Sequence, residues 1–373
     1  MRRLLAVLTL ALFTLPAAAQ EVEQAIDRLN ELGLQHRNAP FDADAIADVQ
    51  SLRIPREALA QFTDDDVRHL LVMPRLGSLT MDGPSGLTAA GLEQLSGIEN
   101  LWSLSMRNAN LKDEDVATVA ALSGLKTLDL GLNRDLGDGA LKVIAELPAL
   151  ETLTLDTTAV SDNGVARLAG HQQLRRLNLL QTAITDAAFT HLGQIPALQN
   201  LNVSSTAVTG SGFGALAGLS ALEEIALRGT SLTDEAIETL SGITSLQRLF
   251  IWDSGITDTA VPHLAKLPNL ATLYLDDNEI TDSGLQALAG HTNLSILWLS
   301  GTAVTDAGLV ALTDIKLENV MLNNTAVTDA GLLTLASIPS LRNISVRNAA
   351  TTDAGVEAAL AVPGRNERLQ IRR

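Results

Sequence analysis

From Val49 onward the chain is one stretch of sequence written many times. The segment Leu294–Lys316, LSILWLSGTAVTDAGLVALTDIK, recurs from Leu150, Leu174, Leu198, Leu222, Leu246, Leu270, Leu317 and Leu341, almost always 24 residues apart. The phase survives upstream in looser form at Val49, Leu76, Leu101 and Leu125, which makes thirteen units and leaves a strand-like end at Arg368–Ile371. A repeat this short cannot bury an apolar face alone, so neighbouring units must stack and share one core.

Each unit changes period halfway. In LETLTL, LQRLFI and LATLYL apolar residues alternate, the pattern of a strand with one buried face. The following T-D-x-G-L-x-x-L-x-x-L spaces its apolar residues by three and four, as a short amphipathic helix does. Ser161 and its equivalents Thr185, Thr209, Thr233, Thr257, Thr281, Thr305, Thr328 and Thr352 precede the helix, where a hydroxyl accepts from free first-turn amides. The residue after each is Asp in all but one of these units, Gly210 being the exception, and a carboxylate there complements the helix dipole. Small residues such as Gly284, Gly308 and Gly331 let the helix start pack closely on the turn, and Pro148, Pro196, Pro268 and Pro339 end helices before the next strand. Much of the acidity is therefore structural.

The unit L-x-x-L-x-L-x-x-T-x-[VI]-T-D-x-G-L-x-x-L-x-x-[LI] resembles the leucine-rich repeat family, in the T-D-x-G-L variant of secreted bacterial repeat proteins and F-box-type receptors. The resemblance implies an α/β fold: a right-handed leucine-rich repeat solenoid, or horseshoe, with a parallel sheet on its concave face and short helices on its convex face. It covers residues 49 to 373 and says much about fold and little about function.

The first residues, MRRLLAVLTLALFTLPAAAQ, combine two Arg, an apolar run and a small-residue end, and are expected to be a secretory signal peptide over 1–19. The apolar run is short for a membrane span and no second candidate follows it. Without cysteine, no lipoprotein anchor or disulfide is expected. Val22, Ile26, Leu29 and Leu32 share one helical face, so residues 20–48 read as a helical cap for the repeat array of 49–364, and 365–373 as a cap strand. A dimerising or docking helix is the other reading of that N-terminal segment.

The formal charge is -17, and about -19 once Arg2 and Arg3 are removed. Such a surface repels phosphate, which argues against nucleic acid. The six histidines are scattered, His171 and His291 in slots that other units fill with Leu or Ile, so no zinc site is expected. No G-x-S-x-G, H-E-x-x-H or P-loop motif occurs, so no enzyme and no cofactor is expected. The sequons at Asn202 and Asn323 fall in strands or at their ends and read as chance matches.

The repeat stops repeating on the outward-facing strand positions. Numbering each unit from its first Leu, the fifth residue runs Asp129, Thr154, Asn178, Asn202, Ala226 and then Phe250, Tyr274, Trp298, Met321. Trp252 and Ile296 lie beside that row. The chain has six Phe, three Trp and one Tyr, so four of ten aromatic residues fall on one part of one sheet. With strands about 4.8 Å apart the row spans roughly 15 Å, and an apolar stripe facing water is a recognition signal. Arg228 and Arg248, with Asp253, Asp276 and Asp277, are expected to form its polar rim. The opposing reading is that the rings pack on one another and only stiffen the sheet; a calcium site on Asp253 and Asp277 is a weaker one.

These features predict an exported, periplasmic or extracellular, non-catalytic protein that binds a macromolecule, chiefly protein, on its sheet. Polysaccharide recognition or adhesion in the envelope is the first alternative. An F-box-like receptor acting as an effector is the second, though residues before Val49 are too few for an F-box.

Overall fold

The computed structural model describes residues 17–373; the proposed signal peptide lies almost wholly outside the described residues. The described residues form two compact units, the first ending at Ala109 and the second spanning Asn110–Arg373.

In the first, helix Ala17–Glu31 precedes a two-stranded antiparallel hairpin, Gln35–His36 with Ala39–Pro40, and helix Ala43–Asp48. Three parallel strands follow, Ser51–Arg53, Ser78–Thr80 and Ser103–Ser105, each paired residue for residue with its neighbour. Arg28 of the first helix donates from Nε to Asp66 Oδ1 at 2.6 Å, tying that helix to Asp64–Leu71. Burial raises the Asp66 pKa, but the Arg28 guanidinium and the Thr63 amide and hydroxyl outweigh it and hold the carboxyl below its usual value.

The second unit repeats one theme from strand Thr127–Asp129 to strand Gln370–Arg372. Its eleven strands, counted among the described residues, run parallel in sequence order. Each is three residues long, and in all but the last, Gln370–Arg372, the middle side chain is buried: Leu177, Leu201, Ile225, Leu249, Leu273 and Leu297 continue through the sheet as one apolar ladder. Fully burying such a side chain contributes roughly 1.5 to 3 kcal/mol before chain entropy is counted. Short helices or 3-10 turns connect strand to strand, so both units are built as an α/β solenoid is.

The Ser or Thr accepts a first-turn amide as expected in eight of the nine units, Thr281 Oγ1, for example, from Ser283 N at 3.2 Å; Thr209 does not, and Gly212 stands at the cap of Phe213–Gly218. The Asp that follows does something else. Its carboxylate reaches into the next unit and takes both the amide and the hydroxyl of that unit's Ser or Thr. Asp258 accepts from Thr281 N at 2.7 Å and Thr281 Oγ1 at 2.5 Å, and Asp282 does the same to Thr305 at 2.8 and 2.6 Å. The same pair of bonds joins Asp138 to Ser161, Asp162 to Thr185, Asp234 to Thr257, Asp306 to Thr328 and Asp329 to Thr352. The row ends where Arg373 donates to Asp353.

This row also explains the glycine of T-D-x-G-L. A Cβ on Gly308 would stand 2.4 Å from Asp282 Oδ1, and one on Gly284 at the same distance from Asp258 Oδ1. Where the Asp is missing the glycine is missing too: Gly210 stands in the Asp position and Ala236 above it in the glycine position, with room for one Cβ between them. Ala188 and Ala260 do face a preceding Asp, and there the α-helical first turn is lost; Asp186–Ala188 is a 3-10 turn and the next α-helix begins only at Val261.

Candidate partner-binding surface

Strand pairing sets Ala226, Phe250, Tyr274, Trp298 and Met321 side by side. Tyr274 and Trp298 stack face to face, centroids 3.7 Å apart and planes within 4°. Phe250 meets Tyr274 edge-on at 4.8 Å. All of them, with Met321 and the neighbouring Ile296, are half-buried. A second row runs beside the first at the seventh position of each unit: Arg228, Trp252, Asp276, Ser300, Asn323. The Trp252 ring lies 5.9 Å from Tyr274 and 6.2 Å from Phe250, and the Arg228 guanidinium sits 5.4 Å from the Trp252 centroid, within cation–π range. Between the rows a shallow groove of about 390 Å³ is lined chiefly by Arg228, Trp252, Asp276, Asp277, Trp298 and Met321.

The residues that make this patch differ from their counterparts in a specific way. In three earlier units the fifth side chain is turned onto its own backbone, Asp129 Oδ1 accepting from Gly131 N, Asn178 Oδ1 from Leu180 N and Asn202 Oδ1 from Ser204 N, each near 3 Å. Aromatic rings cannot do this and project instead. Behind the patch, the ninth position carries Asn278 in place of the usual Thr. Its Nδ2 donates to the Ile251, Leu275 and Asp276 carbonyls while its Oδ1 accepts from Ser254 N at 3.1 Å. A Thr at this position, such as Thr302, reaches only the carbonyl three residues before it. Asn278 therefore fixes the unit bearing Trp252 against the unit bearing Tyr274 and Asp276.

The expected rim is not one group. Arg248 lies at the third position, where its Nε donates to Glu224 at 2.6 Å and its other nitrogen approaches Glu223 at 3.8 Å, away from the three aspartates. Asp253 and Asp277 are exposed turn residues with φ of 54°, in the left-handed region. Asp276 is no rim residue, being only 8% exposed. Its Oδ1 accepts from Ser300 N at 2.8 Å, and its buried Oδ2 has no hydrogen-bond partner. Burial pushes the Asp276 carboxyl up, against the opposing pull of its hydrogen bonds, with Asp277 adding to the rise. Burial also raises the Tyr274 hydroxyl, helped by the Asp276 charge.

Sequence reasoning missed Asn278, although its departure from a run of Thr was visible. It also left His171 and His291 without a role. Each ring bridges two units: His291 Nε2 lies 3.0 Å from Leu267 O and its Nδ1 accepts from Leu294 N at 3.1 Å, as His171 does with Leu147 and Leu174. Among the described residues no three His, Asp or Glu converge as metal ligands, and no helix is long and apolar enough to cross a membrane.

Stacked strand–turn–helix units with a shared Leu ladder define the leucine-rich repeat class, and the chain has the leucine-rich repeat fold. A Leucine Rich repeat family model matches residues 266–289, one unit of the array. Among solved structures, an internalin (inlF) from Listeria monocytogenes is similar over 97% of this chain and 98% of its own, at 18% identity and a TM-score of 0.61. A leucine-rich repeat protein of Leptospira interrogans is similar over 88% of this chain and 96% of its own, at 16% identity and a TM-score of 0.53. At these identities the likeness is one of fold. No protein of curated function matches the sequence.

Proposed function

We propose that the protein is an exported, non-catalytic binding module that holds a protein partner on the sheet surface formed by Phe250, Trp252, Tyr274, Trp298 and Met321. The observation that carries this reading is the ring stack itself. Four rings and a methionine, half-exposed and locked by their neighbours, offer a preformed apolar patch whose groove is lined by both rings and charged groups, the composition of an interface hot spot. Rigid rings lose little conformational entropy on binding.

The stack also favours protein over polysaccharide. Tyr274 and Trp298 cover one face of each other, so neither ring offers both faces to a sugar, while their edges and outer surfaces remain for side chains. Export rests on the leader-like residues 1–19, and in this reading residues 20–48 and 365–373 close the ends of the array over 49–364. The two similar bacterial structures, one of them titled an internalin, are consistent with such a binding scaffold.

Affinity capture tests the reading. Mature protein and a Phe250→Ala, Tyr274→Ala, Trp298→Ala variant, shown by circular dichroism to be equally folded, are presented with envelope and extracellular fractions. Retention of a protein by the wild type and its loss from the variant is the expected outcome. Equal retention by both removes the aromatic row from the binding surface.

A further inference from the structure

The groove beside the ring stack contains a carboxylate oxygen that the fold has left unsatisfied, and the chain itself shows what such a carboxylate takes. Asp82 occupies the same seventh position in its own unit as Asp276 does. Both use Oδ1 to accept the seventh-position amide of the following unit, Asp82 from Arg107 N at 3.1 Å and Asp276 from Ser300 N at 2.8 Å. Asp82 has two further partners. Ser105 Oγ donates to it at 2.6 Å, and Arg53 donates from its guanidinium to Oδ2 at 3.2 Å. Those two donors come from the fifth positions of the following and preceding units. Around Asp276 the same two positions are Trp298 and Phe250, which donate nothing to it.

Asp276 thus keeps the framework bond of its counterpart and has the Ser300 side chain as a further hydrogen-bonding neighbour, but lacks the guanidinium that Asp82 holds on Oδ2. Among the described residues no hydrogen-bond donor reaches Oδ2. Arg228 is over the Trp252 ring and Arg248 is paired with Glu224, while Asp253 and Asp277 on the adjacent turns add negative charge. A buried carboxylate with one oxygen unpaired is costly to keep, and a cationic donor entering from solvent removes that cost. The walls suit a cation as well, since the Trp252 and Trp298 rings border the same groove and aromatic faces attract guanidinium and ammonium groups.

We propose that Asp276 is the receptor for a basic side chain, Arg or Lys, of the protein partner, which lies between Trp252 and Trp298 and donates to Asp276 Oδ2. This rests on the protein-binding reading above and narrows it to partners that present a basic residue to the groove. Charge favours the same partner, the chain carrying a formal -17.

The test pans a random dodecapeptide display library on the mature protein. Enriched peptides are expected to carry Arg or Lys. Replacing that residue by its uncharged counterpart, citrulline or norleucine, weakens binding at least tenfold on the wild type and by less than twofold on Asp276→Asn. Asparagine keeps the Oδ1 acceptor for Ser300 N, so the variant folds, as circular dichroism checks. Enriched peptides without a basic residue, released by Trp298→Ala but not by Asp276→Asn, overturn the cation site and leave the protein-binding reading standing. No enriched peptide, with retention of the protein on an oligosaccharide array instead, overturns both.

Discussion

Asp276 and Asn278 are two residues apart and pull in opposite directions. Asn278 bonds five backbone groups of two units, so Asn278→Ala leaves buried donors and acceptors unpaired at a cost of about 3 kcal/mol. Asn278→Thr, which restores the residue most units carry, is expected to cost less because the hydroxyl regains the Leu275 carbonyl, yet Ser254 N still loses its acceptor. Urea midpoints of the two variants order them. Asp276 does the reverse. Its folded pKa is raised, so the charged form destabilises the native state at neutral pH, and that penalty disappears as the pH falls below the unfolded value. Asp276→Asn is accordingly expected to be more stable than the wild type at pH 7, by on the order of 1 kcal/mol, with the gain shrinking in acid. Thermal melts at pH 7 and pH 4 check the sign.

At the scale of the element, the helix start is a joint between units. The motif T-D-x-G-L was legible as a strand-to-helix switch and its hydroxyl as a cap, because both act within a few residues. What the Asp does was not legible, since its partner lies about one period along the chain and occupies a position identical in type to the local one. The glycine belongs to that same joint. Gly308→Ala sets a Cβ 2.4 Å from Asp282 Oδ1 and is expected to destabilise by about 2 kcal/mol. Adding Asp282→Gly recreates the arrangement of Gly210 and Ala236, so the double variant should lose less than the two single losses together. A double-mutant cycle on unfolding free energies measures that coupling, and additivity would sink the account. The aromatic row was equally legible, because a repeat that stops repeating marks the residues folding does not need. Its ring stacking and the burial of Asp276 were not, since outward strand positions read alike in sequence whether they end in solvent or under a neighbour's ring.

For the molecule as a whole, Asp66, Asp186 and Asp329 shape the response to acid. Asp329 lies below its ordinary value through the Thr352 hydroxyl and amide, with Arg373 adding to it. Asp186 also lies low: burial raises it, but the Thr209 hydroxyl and the amides of Gly210 and Thr209 outweigh that. A carboxylate depressed in the folded state contributes stability that is complete above the unfolded pKa, near 4, and is lost as the pH falls through the folded value. The expected result is a chain stable from neutrality to about pH 4 and losing stability steeply below it. Far-ultraviolet circular dichroism followed with acid titration checks this, and an unchanged urea midpoint from pH 6 to pH 3 would contradict it. Asp276 contributes with the opposite sign, as one residue against Asp66, Asp186 and Asp329.

The row of aspartates has one further consequence, for how such a chain is lengthened or shortened. Each unit ends in a carboxylate and opens with the hydroxyl and amide that receive the one before, so units behave as interchangeable parts with a common plug and socket. Excising residues 282–305 leaves Asp258 against Thr281 and Asp306 against Thr328, with Gly308 coming to lie over Asp258, a seamless splice. Excising residues 210–233 instead sets Ala236 over Asp186, a mismatched fitting. Gly210 and Ala236 are thus keyed to each other alone, and a copying event that divides them yields a longer or shorter chain with a flawed seam, whereas most other cuts at this period heal without trace.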